Sequence, residues 1–262
     1  MTSKTEPRLL CYDLGEGVTA FSTTRHGGVS EANYASFNIN PYCGDSADHV
    51  ARNRQLLADR LGLPASHIVL PHQVHGIEHR TVAPELLDMS DAVRDKILDG
   101  VDMVTTSMTG VCIGVSTADC IPVLLYDPVA RATAAIHAGW RGTLQRICQR
   151  AVMAMQLHYG TTPDRLRAVV GPGISLANFE VGQEVYDQFA EAGFDLTETA
   201  EWHTKWHLDL PGINIRELIG CGVAPEHIHH AGICTFDHAD DYFSARRLGI
   251  DSGRIYTGIL MR

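Results

Sequence analysis

Apolar residues in the middle of the chain fall in short, unbroken runs, not in strict alternation. Positions 111–115, 123–126 and 132–136 are apolar at nearly every residue and are bounded by turn-forming residues, the pattern of strands buried on both faces. We expect these three strands to lie beside one another. After the polar hexapeptide His137-Ala138-Gly139-Trp140-Arg141-Gly142 the period changes. Leu144, Ile147, Cys148, Ala151, Val152 and Met155 recur at helical spacing while Gln145, Arg146, Gln149 and Arg150 face elsewhere, which predicts a helix from about Thr143. A strand over 166–170 ends at Gly171-Pro172-Gly173, and a helix over 181–192 is closed by Gly193. Earlier, Ser46 or Asp48 can cap a helix running to about Leu61, with Val50, Leu56, Leu57 and Leu61 on one side and Arg52, Asn53 and Arg54 near its start. The C-terminal third is less legible. There His227, His229 and His230 read as a polar loop before a strand at Ile233, or as a second group of metal ligands.

Strand-like runs interleaved with helices predict an α/β (α+β) fold, a layered sandwich of mixed β-sheets flanked by helices. No linker, charge block or internal repeat divides residues 1–262, so a single domain is expected.

Composition narrows the partners. The formal net charge of −10 disfavours a nucleic-acid backbone or an anionic membrane, although a few arginines in one pocket can still bind a small anion. The most apolar stretch, 110–126, carries Asp119 and Pro122 and is shorter than the roughly 20 residues of a membrane helix. The N-terminus lacks a signal-like apolar core, and the seven cysteines include no C-x-x-C pair, so reduced thiols in a cytoplasm are expected.

Several segments can carry chemistry. Pro71-His72-Gln73-Val74-His75-Gly76 places two histidines three apart, either a wet surface turn or a metal site. Thr117-Ala118-Asp119-Cys120 puts an acid and a thiol where two strands meet. A buried carboxylate there must be hydrogen-bonded, near a metal, or at an open strand end. Cys120 by itself is also a plausible small core residue. His137 to Gly142 lies between a strand and a helix, where glycines admit a ligand and Arg141 offers a bidentate donor; in the alternative, Trp140 plugs the core and Arg141 is solvated. Arg25 in Ser22-Thr23-Thr24-Arg25-His26-Gly27-Gly28-Val29-Ser30, and Arg246 with Arg247 in Phe243-Ser244-Ala245-Arg246-Arg247, can each grip an oxyanion; in the alternative, Arg246 and Arg247 are a solvated pair at a strand end.

Taken jointly, STTRHGGVS, YASFNIN, Gly44-Asp45, Asn53-Arg54, QVHG, STADCIPVLL, HAGWRG, GPGI, FEVG, Cys234-Thr235, FSARR and Ser252-Gly253-Arg254 resemble the YfiH family, also called the laccase-domain or multicopper polyphenol oxidase family. The resemblance runs nearly end to end, with HAGWRG and TADC its most specific pair. It implies the YfiH-type, cysteine-hydrolase-like fold and a metal centre of His75, Cys120 and His137. One thiolate and two imidazoles suit Zn²⁺, with copper the lesser possibility, and three ligands leave a fourth position open. It further implies phosphorolysis of purine nucleosides (adenosine, inosine, guanosine, methylthioadenosine) with inorganic phosphate, and deamination of adenosine, by a monomer or homodimer. Arg25, Arg141, Arg246 and Arg247 are then the clamp candidates, Asn38 helps shape the pocket, and Asp119 orients a ligand or relays a proton. The family usually has a Gly-Leu-His-Val-Gly-Asp-like stretch where this chain has Asn40-Pro41-Tyr42-Cys43-Gly44-Asp45, so a histidine is replaced there.

Three other readings remain open. The same Cys/His pair can serve a hydrolase that edits misincorporated amino acids in cell-wall (peptidoglycan) precursors. A copper-dependent polyphenol oxidase needs many paired H-x-H segments, and only His227-Ile228-His229 has that spacing. A non-catalytic nucleotide- or partner-binding module would keep structural zinc with a closed fourth position.

Overall fold

A computed structural model describes residues 6–262. Its strands are β1 (Leu9–Tyr12), β2 (Val18–Thr23), β3 (Ile68–Val69), β4 (His79–Thr81), β5 (Met103–Thr106), β6 (Cys112–Thr117) and β7 (Ile121–Asp127). The series continues with β8 (Ala132–Ala138), β9 (Arg167–Val170), β10 (Glu180–Val181), β11 (Ala200–Trp202), β12 (Trp206–Leu208), β13 (Ile228–His230) and β14 (Ile255–Met261). The helices are α1 (Ala47–Leu61), α2 (Pro84–Asp88), α3 (Asp91–Ile97), α4 (Trp140–Leu144), α5 (Ile147–Tyr159), α6 (Gln183–Glu191), α7 (Leu210–Gly220) and α8 (Ala245–Leu248).

Two mixed sheets stack face to face, one ordered β1-β2-β14-β6-β3 and the other β13-β9-β7-β8-β5-β4. Strand β7 shows why its run is continuously apolar. Leu124 and Tyr126 point between the sheets, toward Ile113, Val115 and Ile259, while Val123 and Leu125 point outward to Cys148, Ala151 and Val152 of α5. Both faces are covered, so period-two alternation disappears. On the far side, Leu57, Ala58 and Leu61 of α1 cover Phe21, Cys112 and Tyr256. The result is the expected layered sandwich, helix–sheet–sheet–helix.

Several local expectations change. Strand β6 does not neighbour β7 and β8; it lies between β14 and β3 in the other sheet. The chain changes sheets through 118–120, where Asp119 takes a φ of 89°, so strands adjacent in sequence end up in different layers. The helix expected from Thr143 is two helices, interrupted at Arg146 with φ 59°. That residue's guanidinium is held elsewhere, on Glu217 Oε1 at 2.5 Å and over the Phe194 ring, so a tertiary anchor overrides helical spacing. Helix α6 starts at Gln183, because Glu180 and Val181 pair with β12. Asn53 of α1 has a structural part that the helical pattern alone did not assign. It is fully buried, donating to Ser30 Oγ and the Asn38 carbonyl and accepting from Val29 N–H. Residues 228–230 form an edge strand parallel to β9, not a loop, and Ile233 lies outside any strand. The seven-residue β14, buried throughout, is the strand that the C-terminal pattern did not reveal.

Candidate metal centre

The site lies at one end of the sandwich, where three segments meet. β7 pairs with β8 so that Ile121 faces Ala138 and Pro122 faces His137, which brings Cys120, one residue before β7, next to His137. His75 arrives on the loop between β3 and β4. The Nδ1 or Nε2 of His75, Sγ of Cys120 and a ring nitrogen of His137 all lie within 4.8 Å of one another, and the two imidazoles meet edge to face at 4.8 Å. This is the one such group among the described residues.

Asp102, which sequence reasoning did not single out, organises the centre. It immediately precedes β5, the other neighbour of β8, and is fully buried. Its Oδ2 accepts the N–H groups of Gly76 (2.7 Å) and Val74 (3.1 Å). Its Oδ1 accepts the N–H of His75 (3.0 Å) and Nδ1–H of His137 (2.7 Å). One carboxylate therefore folds the His75 loop and turns His137 so that Nε2 faces the donors, the carboxylate–histidine arrangement typical of metal ligands. His75 is held at φ 64° by these bonds, a conformation that costs a non-glycine residue roughly 1–3 kcal/mol. Asp119, adjacent to Cys120, is likewise left-handed. Two ligand-bearing turns are thus held in uncommon conformations at the same place.

Electrostatics follow from this geometry. Burial opposes ionisation of the Cys120 thiol, but the His137 and His75 imidazoles outweigh it and bring its pKa below that of an ordinary thiol. Burial likewise opposes a charge on His137, and the Cys120 sulfur together with Asp102 overcomes it, raising that imidazole's pKa. Asp102 pays the desolvation cost of a buried acid, yet the bonds from His137, Gly76 and Val74 hold its pKa below the usual carboxylate range. The cluster therefore favours a thiolate beside a cationic imidazole. Such a pair accepts a dication in place of the proton it shares.

The donor set fits a soft or borderline dication: one thiolate, one imidazole oriented by a buried acid and one more exposed imidazole. Gly139 leaves the space it needs. A Cβ at that position would lie 2.9 Å from His75 Cδ2 and 3.1 Å from Cys120 Sγ. Gly139→Ala must push the ligands apart. We expect it to weaken metal retention at least about 10-fold while leaving the far-UV circular dichroism unchanged, as read by metal analysis after dialysis.

The donors open into a cavity of about 540 Å³, whose wall includes Tyr42, His72, Thr117, Phe179, Arg246 and Arg254. Arg246, at the start of α8, donates through Nη2 to the Glu180 carbonyl and lies over the Phe179 ring. The other arginines named from sequence are placed differently. Arg25 gives Nε and Nη1 to the carbonyls of Ala35 and Ala239, Arg247 gives Nη1 to the Phe236 carbonyl, and Arg141 is exposed over Trp140. None of the three lines the cavity. Asn38 stands behind the wall. It is fully buried, donating to Asp45 Oδ2 and accepting from the N–H of Arg254. Asp119 accepts from Thr235 Oγ1 and from the N–H of Arg246, both at 2.7 Å, so it ties the Cys120 turn to α8. His229 and His230 are exposed on the edge strand β13, away from the donor group.

Two contributors escaped the sequence reading. Arg254 stood in the quoted Ser252-Gly253-Arg254 motif without a role; here it reaches the cavity wall. Asp102 carried one weak signal, an acid directly before the buried run 103–106. A charge placed there needs compensating partners.

This two-sheet sandwich is of the YfiH type. It superposes on the crystal structure of YlmD from Geobacillus stearothermophilus with a TM-score of 0.88 at 30% identity, covering 96% of this chain and 94% of that one. Residues 19–262 match the family described as multi-copper polyphenol oxidoreductase laccase, and the chain belongs to that family. A purine nucleoside phosphorylase of Bacteroides thetaiotaomicron is 44% identical over 247 residues, 93% of this chain and 92% of that protein. An adenosine deaminase from an unknown prokaryotic organism is 40% identical over 248 residues, 93% of this chain and 94% of that protein.

Proposed function

We propose that the protein is a zinc-dependent purine nucleoside phosphorylase that also deaminates adenosine. The observation that carries this reading is the convergence of His75, Cys120 and His137 on the floor of a cavity whose wall bears Arg246 and Arg254. Relatives with these two activities in their names, aligned over nine-tenths of the chain, support it.

Bound zinc would supply Lewis acidity and acidify water at neutral pH. The chain's own residues do the remaining work. Arg246 keeps most of its five donors free after its bond to Glu180, while Arg254, whose guanidinium is bonded to the carbonyls of Ile250, Ser252 and Gly253, adds positive charge to the same wall in a protein of net charge −10. Such a wall suits phosphate held against the ribosyl carbon. His137 is fixed by Asp102 with Nδ1 protonated, so Nε2 is the donor atom toward the centre. The cavity volume is in the range that encloses a nucleoside. Adenosine, inosine, guanosine and methylthioadenosine share the purine and the N-glycosidic bond that this arrangement would address.

A second reading has one observation in its favour. Cys120, His137 and Asp102 also form a nucleophile–base–orienter series, the arrangement of a thiol hydrolase, which fits editing of cell-wall precursors. Chelation separates the two: removal of metal abolishes zinc-dependent phosphorolysis and spares a thiol mechanism. A multicopper oxidase needs several ligand clusters, and one lies among the described residues.

The test is purified, zinc-replete protein with adenosine, inosine, guanosine or methylthioadenosine, each with and without phosphate; the adenosine arm separates the two activities. Adenine with phosphate, and inosine without it, are expected. Absence of any product from all four nucleosides would refute the reading.

A further inference from the structure

One feature of the cavity lies outside the donor cluster. Tyr42 occupies the stretch where the family resemblance leads one to expect a histidine, and its ring stacks on His72 with centroids 4.2 Å apart and planes 29° from parallel. Both rings line the cavity over the donor cluster. Tyr42 also borders a neighbouring cavity that His72 does not reach, so Tyr42 backs the pair and His72 is its inner member. His72 is fixed twice. Its Nδ1 meets Asp99 Oδ1 at 2.6 Å, and its backbone is pinned by bonds from His72 N–H to the Leu98 carbonyl and from Gly100 N–H to the His72 carbonyl, both 3.0 Å. Its side chain nevertheless stays 40% exposed.

The neighbouring polar groups cannot explain that exposed ring, because they satisfy one another. Gln73 spends its amide on the backbone of Ser116, and Asn40 spends its own on Ser116 Oγ and the N–H of Tyr42. Besides the Arg246 guanidinium, two groups on this wall keep unused capacity: the open edge and face of the His72–Tyr42 pair, and the Thr117 hydroxyl, which is 1% exposed and has no hydrogen-bond partner. A buried hydroxyl without a partner and a braced aromatic face in the wall of one cavity match a flat, polar-edged ligand. A heteroaromatic base has both properties.

We propose that His72, backed by Tyr42 and oriented by Asp99, is the platform on which the purine base stacks, with the Thr117 hydroxyl facing a polar atom of the same ligand. This assignment rests on the nucleoside reading above. It gives His72 a binding role distinct from that of His75, three residues later.

Base–aromatic stacking predicts that His72→Ala raises the nucleoside KM about 5- to 100-fold. The phosphate KM, kcat within about threefold, and metal content should stay as in the wild type. His72→Phe keeps the flat ring and discards both nitrogens, so it should restore the nucleoside KM to within about threefold of wild type. Tyr42→Leu, which removes the backing ring, should show an intermediate KM. The wild-type enzyme assayed in parallel separates the two levels: no turnover of any nucleoside overturns the parent reading and this platform with it. Wild-type turnover with an unchanged KM in His72→Ala, loss of metal in that variant, or a Phe variant as impaired as the Ala one overturns the platform alone.

Discussion

Cys120→Ser should leave a folded protein that retains less than about a tenth of the wild-type metal after dialysis and turns over no nucleoside above background. Serine is nearly isosteric, so packing at the end of β7 is preserved. Its hydroxyl, however, stays neutral at any physiological pH, whereas the two imidazoles already pull the Cys120 thiol toward thiolate. The exchange therefore removes the anionic donor and one of the two charges, Asp102 being the other, that raise the His137 pKa in the metal-free cluster. Metal analysis beside an assay of adenine release checks both consequences. Full metal content with full activity in the variant would dismiss Cys120 from the centre.

Asp102→Asn should cost both stability and metal affinity, although no atom of Asp102 belongs to the donor group. Each carboxylate oxygen accepts two N–H bonds: Oδ2 from Val74 and Gly76, Oδ1 from His75 and His137. An asparagine offers one oxygen and one NH₂, so whichever way it turns, two donors, part-buried N–H groups or the buried His137 Nδ1–H, lose their acceptor and face another donor. At roughly 1–3 kcal/mol for each orphaned group, the loss is about 2–6 kcal/mol, a large part of a domain's stability. Where the amide replaces Oδ1, the tautomer of His137 is no longer fixed, and metal affinity should drop about 10- to 100-fold. Urea unfolding of the metal-free protein and metal competition with a chromophoric chelator read the two effects independently. A variant within about 0.5 kcal/mol of wild type would show that the His75 loop does not depend on this carboxylate.

The family resemblance points to His75, Cys120 and His137 through three compact motifs, yet 45 residues separate His75 from Cys120 and 17 separate Cys120 from His137. Only the pairing of β7 with β8 and the loop after β3 explain how they meet. Periodicity recovered the buried strands because burial on both faces leaves an unbroken apolar run. It could not say that β6 belongs to the opposite sheet, since that depends on a left-handed turn at Asp119 that no propensity signals. Arginine side chains are ambiguous for a different reason. Arg25, Arg246 and Arg247 look alike in sequence, but Arg25 and Arg247 spend donors on backbone carbonyls away from the cavity, and only Arg246 reaches its wall. Asp102 was hidden because its four partners come from the His75 loop and the distant β8. Its importance is a property of the assembled fold, not of any local pattern.

X-ray absorption at the metal edge of the purified protein reads the donor atoms themselves. A centre of His75, Cys120 and His137 should give about one zinc per chain with a single sulfur scatterer near 2.3 Å and two or more nitrogen or oxygen scatterers near 2.0–2.1 Å. A first shell without sulfur, or one with several sulfurs, would contradict a centre built from His75, Cys120 and His137.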